Sequence, residues 1–159
     1  VTTAINVLEI NNGSVNMDLI LTSNGDVNII DVGARMGGNL IGSHIIPNAT
    51  GIDILEALVN IVLKNNVDVN KRFSRNISTR ILDFGPGKIK DIKSFEDIID
   101  GKKVVDIVLN KRIGDISNIY KSNADSFGWL VVSGNTPEET EKFADKMKKQ
   151  VRDRFIIER

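Results

Sequence analysis

The sequence predicts an α+β protein in two parts: an antiparallel hairpin with a buried helix, then a small mixed α/β domain. Three observations carry the prediction. Residues 15–32 read as two strands meeting at Asn24-Gly25, a strong hairpin signal because a type I′ turn needs positive φ at both central residues. Residues 52–64 are apolar on nearly every helical face, the pattern of a buried helix. Beyond residue 75, short strand-like runs alternate with turns, and one amphipathic helix opened by Thr136-Pro137-Glu138-Glu139 precedes the last run.

Composition narrows the class. The 159 residues are 41% hydrophobic and 26% charged, ordinary values for a globular chain. Twenty-one Lys and Arg balance 21 Asp and Glu, so no basic field favours nucleic acid or an anionic membrane. Cysteine is absent, which excludes disulfides and thiol chemistry and leaves the redox compartment undecided. No apolar run approaches the roughly 18 residues of a membrane span, and no signal-peptide pattern is present. Val1 opens directly on structured-looking sequence, and the expectation is a domain cut from a longer parent.

The elements follow in order. Residues 2–9 carry Ala4, Val7 and Leu8 at helical spacing and stop at Asn11-Asn12-Gly13, the tail of a helix. In the hairpin, Met17, Leu19 and Leu21 share a face with Ile30 and Val32, which is expected to pack on another layer. Residues 33–51 form a long loop with Gly33, Gly37, Gly38, Gly42 and Pro47 and a helical turn near 40–46; loops of this length are usually functional or disordered, and this one is too apolar for disorder. It lacks the P-loop pattern. His44, the only histidine, is read as a packed or hydrogen-bonded residue rather than a catalyst. Thr50-Gly51-Ile52-Asp53 resembles a capping-box start for the helix to residue 64. The main boundary is placed at 70/71, giving parts 1–70 and 71–159. The second part is expected to hold strands at 77–84, 88–92, 103–109, 116–120, 129–133 and 155–158. A short helix or turn falls at 95–99 and a basic turn at 110–114. The stripe Phe143, Ala144, Met147 and Val151 faces the core from the Thr136-capped helix. Charge runs such as Lys146 to Lys149 are read as a solvated helix face.

The candidate site comes from counting back along the hairpin. With the turn at Asn24-Gly25, Thr22 faces Val27, Ile20 faces Ile29, and Asp18 faces Asp31. Like charges directly opposite on a sheet are destabilising, and a cation between them relieves the repulsion. Mg²⁺ commonly takes one or two carboxylates plus substrate phosphates. Arg35 follows four residues after Asp31 and is placed to reach an anion near that ion. On the bland alternative, the two aspartates share a solvated face.

Asp18 to Asp31, the DVGARMGGNLIGSH segment and the following TGID helix start resemble the C-terminal end of an ATP-grasp domain. They are most similar to the carboxylate–amine ligases that join L-amino acids, with residues 85–158 similar to the small C-terminal domain of those ligases. The resemblance implies ATP and Mg²⁺ as cofactors, with Mn²⁺ as an alternative ion. It makes Asp18 and Asp31 the metal and nucleotide-phosphate carboxylates, Arg35 the catalytic anion-binding arginine, and Gly37, Gly38 and Asn39 the substrate-binding loop. Two departures stand out. Asp31 replaces the usual glutamate. Gly33 stands where many relatives carry a further ligand asparagine, a feature shared with the amino-acid ligase branch rather than the biotin carboxylase type. The implied reaction forms an acyl phosphate from a carboxylate and ATP, which an amine converts to an amide. A glycine-rich lid and nucleotide lysines are not in the chain, so the chain alone is expected to be inactive. Its partners are then small-molecule carboxylate and amine substrates and a missing N-terminal part of the same chain, with no nucleic acid, no membrane, a homodimer left open, and a cytoplasmic location. The alternatives are an enzyme resembling phosphoribosylglycinamide synthetase or biotin carboxylase, and a non-catalytic interaction or assembly module.

Overall fold

A computed structural model describes all of residues 1–159. The chain divides into two compact units, Val1–Ser74 and Arg75–Arg159. Residues just past the boundary expected at 70/71 stay with the first unit. The Arg72 and Phe73 amides both donate to the Thr50 carbonyl, at 2.9 and 3.2 Å, and Arg72 Nη1 donates to the Gly51 carbonyl at 2.6 Å.

The first unit begins with a short helix, α1 (Thr2–Val7), and the hairpin β1 (Asn16–Leu21) and β2 (Val27–Gly33). Its turn differs from the expected type I′ form. Only Gly25 has positive φ, at +86°. The Gly25 amide donates to the Thr22 carbonyl at 3.0 Å, and the Thr22 amide to the Asp26 carbonyl at 2.9 Å. The Thr22 hydroxyl accepts a further bond from the Asp26 amide at 3.0 Å. The result is a type I turn followed by a left-handed glycine, the next commonest hairpin connection.

That turn moves the register by one. Leu21 pairs with Val27, Ile20 with Asn28 and Leu19 with Ile29; after a bulge, Asp18 pairs with Asp31, Met17 with Val32 and Asn16 with Gly33. Side chains alternate faces along a strand, so Met17, Leu19, Leu21, Val27, Ile29 and Val32 share one face. Asn16, Asp18, Ile20, Asn28 and Asp31 share the other. The apolar face is expected to be packed, but Leu19, Leu21, Val27 and Ile29 are all exposed. A lone two-stranded ribbon has no second layer to bury them.

The expected loop from residue 33 to 51 is partly helical. A π-helical turn, Ile41–Ile45, runs into α2 (Ile46–Thr50). Gly51, with φ of +78°, ends α2 in a left-handed cap. The next helix, α3 (Ile54–Val62), is capped by the Asp53 carboxylate, which accepts from the Glu56 amide at 2.9 Å. Thr50 therefore closes α2 instead of opening α3: its hydroxyl donates to the Ile46 carbonyl at 2.7 Å. The path bends by 114° between these two helical stretches. α3 is not the buried helix its pattern predicts. Ala57 alone is buried, while Leu55, Val59, Val62 and Leu63 are exposed along one stripe. No single helix is long and apolar enough to cross a membrane.

The second unit holds β3 (Asn76–Leu82), β4 (Gly87–Ile92), β5 (Val104–Leu109), β6 (Ile116–Ser117), β7 (Gly128–Gly134), α4 (Pro137–Arg152) and β8 (Phe155–Glu158). Two three-stranded antiparallel sheets have the orders β3-β7-β5 and β6-β4-β8. The strand expected at 116–120 shrinks to two residues, and 95–99 is a turn in which Phe95 O accepts from the Ile98 and Ile99 amides at 3.0 Å. α4 starts where Thr136 accepts from the Glu139 amide at 3.2 Å, with Pro137 behind the cap. Its residues Ala144, Met147 and Val151 pack on Leu82, Leu130 and Val132 in one core with Phe84, Phe127 and Phe155. The last three rings lie within 5.1–5.4 Å of one another, centroid to centroid. Arg80 ties β3 to α4 through Asp145 and Glu141, each at 2.6 Å.

Candidate functional site

The site is built on the bulge. Had the register set by the turn continued, Asp31 would fall opposite Met17 on the apolar face. The extra residue in β2, Ile30, brings Asp31 opposite Asp18 instead. Bulges commonly re-aim a side chain in this way beside functional sites. Both aspartates are exposed, so their repulsion is weakened by solvent to about 1 kcal/mol at 4 Å. No third Asp, Glu, His or Cys joins them in a metal-sized group. Two opposed carboxylates suit a hard divalent cation that draws its other oxygens from phosphates and water. The donor set therefore fits Mg²⁺ or Mn²⁺.

The next rung on the acid-bearing face is Asn16 opposite Gly33. Gly33 has no side chain, and Arg35 packs beside the space one would fill. A Cβ placed on Gly33 would lie 3.5 Å from Arg35 Cγ and 3.6 Å from its Nε. The chain turns tightly there, with the Arg35 amide donating to the Gly33 carbonyl at 2.8 Å. Arg35 Nη1 donates to the Met36 carbonyl at 3.0 Å, and the side chain is exposed. The guanidinium is thus carried on the same face as the acids, one rung away.

The loop then passes back over the hairpin. Gly37 is wedged: a Cβ there would sit 2.9 Å from Asn16 Oδ1 and 3.1 Å from Ile41 Cβ. Gly38 is open, and its carbonyl accepts from the Ile41 amide at 3.0 Å. The left-handed positions of this loop are not its glycines but Asn39 and Leu40, with φ of 50° and 65°. For a branched residue such as Leu40 that conformation is strained, and strain of this kind clusters at binding and catalytic loops. The π-turn follows at once, with both the His44 and Ile45 amides donating to the Leu40 carbonyl at 2.9 Å. His44 Nδ1 lies 2.8 Å from Ser43 Oγ, and its carbonyl accepts from Asn48 Nδ2 at 2.8 Å.

Sequence counting named Asp18, Asp31, Arg35, Gly37, Gly38 and Asn39 but passed over Asn16, whose signal was present. It lies two residues before Asp18, and a period of two puts both on one face. The strain at Leu40 had no sequence signal. Elsewhere, a cleft of about 520 Å³ in the second unit is lined by Arg75, Lys102, Lys103 and Phe143 among others, and by none of these residues.

Residues 80–155 match the family model described as L-amino acid ligase C-terminal domain 2. That match takes in most of the second unit. The L-amino acid ligase likeness extends to the fold of the whole chain. The crystal structure of L-amino acid ligase from Bacillus licheniformis matches 99% of it, with a TM-score of 0.76 at 24% identity. Phosphoribosylglycinamide synthetase from Anaerococcus prevotii matches 98% of it at 0.75 and 22% identity. N5-carboxyaminoimidazole ribonucleotide synthetase from Thermotoga maritima matches 93% at 0.66 and 16% identity. The chain spans 41%, 39% and 38% of those three chains. At these identities the likeness establishes a shared fold and nothing finer. None of the curated proteins compared with the chain matches it.

Proposed function

We propose that this chain is the C-terminal part of an ATP-grasp carboxylate–amine ligase of the L-amino acid type, and that the hairpin is its Mg-ATP site. The observation that carries the reading is the rung register: Asp18 opposite Asp31, with Arg35 laid over Gly33 on the same face. The family match over residues 80–155 favours this branch over the phosphoribosylglycinamide synthetase type, whose fold likeness is nearly equal.

In this reading Asp18 and Asp31 hold Mg²⁺ or Mn²⁺, which neutralises phosphate charge during transfer. Arg35 is always ionised and fork-shaped, and binds the transferred phosphoryl group or the substrate carboxylate with paired hydrogen bonds. A carboxylate oxygen attacks the γ-phosphorus of ATP and ADP leaves. The amine nitrogen then attacks the acyl carbon, phosphate departs with the bonding pair, and the ammonium proton is lost to solvent. The backbone at Gly37 and Gly38 lies beneath the substrate, and Asn39 lines its pocket. The work of the site is positioning and charge neutralisation, and no role as general base is assigned to His44.

The test is Asp31→Asn in the longer polypeptide that carries this chain. ATP-dependent amide formation should fall by at least about 100-fold, a size typical of losing one preorganised charge partner. The melting temperature should hold, because Asp31 is exposed. Undiminished turnover would instead favour a non-catalytic assembly module. The chain alone should neither turn over ATP nor bind it tightly.

A further inference from the structure

Asn16 is absorbed by none of the roles above, yet it occupies the rung beside the acids. It precedes Asp18 by two residues in β1, with no bulge in that strand between them, and it pairs with Gly33. Its Oδ1 lies 2.9 Å from the point where a Cβ on Gly37 would stand. Ile41 Cβ crowds the same point at 3.1 Å. The rung therefore works as a shelf: Arg35 packs beside its empty half, and the Asn16 amide oxygen stands against Gly37 where a side chain would have to go. Asn16 is half-buried, as a side chain with the loop on one side and solvent on the other should be.

We propose that Asn16 is a positioning residue that sets the height of the Arg35–Gly37 loop above the Asp18–Asp31 rung. The inference rests on reading the hairpin as the cation and phosphate site. Asn16 acts through the loop and not as a cation ligand. A shift of about 1 Å in a positioning group can cost on the order of 100-fold in rate, so a shelf of the wrong height matters even where nothing unfolds.

The experiment uses the full-length parent with Asn16→Ala, Asn16→Leu and, as the conservative variant, Asn16→Ser. Three quantities are read: trypsin cleavage after Arg35 in the folded protein, KM for the carboxylate substrate, and the dissociation constant of Mn²⁺. Asn16→Ala should speed the cleavage several-fold and raise KM roughly tenfold, the scale of a small misplacement. Mn²⁺ binding should stay within about twofold, because the Asp18–Asp31 pairing is set by strand register and not by the loop that Asn16 supports. Asn16→Leu should raise KM at least as much by lifting the loop, and Asn16→Ser should restore part of both effects. Wild-type cleavage and KM in the alanine and leucine variants would overturn the proposal. So would a loss of Mn²⁺ affinity as large as that of Asp31→Asn, which would make Asn16 a ligand. The cleavage assay needs no turnover, so it reports on Asn16 even if Asp31→Asn disproves the catalytic reading of the hairpin.

Discussion

The two units divide the tasks of a protein between them. Every buried core hydrophobic except Ala57 lies in the second unit. Every exposed large hydrophobic except Ile113, Ile116, Ile119 and Ile156 lies in the first. The acids, the arginine and the strained loop are all in the first. An apolar pattern records a need for burial; it does not say that the partner surface lies in the same stretch of chain. α4 meets its partner strands, β3 and β7, within its own unit. The hairpin and α3 do not, and their open faces are what a proposed upstream part of the same polypeptide would cover.

Core removal gives the sharpest contrast. Phe127 is fully buried among Phe84 and Phe155, and Phe127→Ala should destabilise the second unit by about 3–5 kcal/mol, read from its denaturant midpoint. A first unit that unfolded at the same midpoint, and shifted equally, would erase the division drawn here.

A smaller effect comes from the ion cluster on α4. Arg80, with its side chain 20% exposed, bonds Asp145 and Glu141. The Arg80 hydrogen bond holds Asp145 below its ordinary value of 3.8. The Ser78 hydroxyl, then Arg80, hold Glu141 below 4.5. Carboxylates depressed in the folded state contribute stability that is full above those ordinary values and is lost as pH falls through the folded ones. Arg80→Met should therefore destabilise the second unit at pH 7, by less than Phe127→Ala. The gap between variant and parent should close as the solution is acidified below about pH 4. A gap independent of pH would mean that Arg80 acts by packing alone.

The smallest effect is expected on the open stripe of α3. Val62 is 78% exposed, and Val62→Ser in this chain alone should change stability by no more than about 0.5 kcal/mol. In the full-length parent the same change should cost more if the proposed upstream part covers the stripe. Equal effects in the two settings would show that the stripe faces water in both.

Much of the second unit was legible because its signals are local. Thr136-Pro137-Glu138-Glu139 names a helix start by itself, and Phe143, Ala144, Met147 and Val151 recur at helical spacing. The acid pair was also legible, though by a route the molecule does not take. Counting from a two-residue turn sets Asp18 against Asp31 directly. The real turn uses a left-handed Gly25 and loses that register, and the bulge at Ile30 regains it. Thr50 misled because a hydroxyl near a glycine caps either end of a helix; which end depends on where the chain bends. The burial expected of α3 failed because periodicity reports a face without naming what covers it.

By itself, then, the sequence determined the alternation, the caps and the presence of two acids with an arginine close behind, since each depends on neighbours within a few residues. Only the tertiary structure decided the bulge, the seat of Arg35 beside Gly33 and the close approach of Asn16 to the side-chain space of Gly37. Those depend on strand register and on a loop folding back over the hairpin, where a shift of one residue reverses every face.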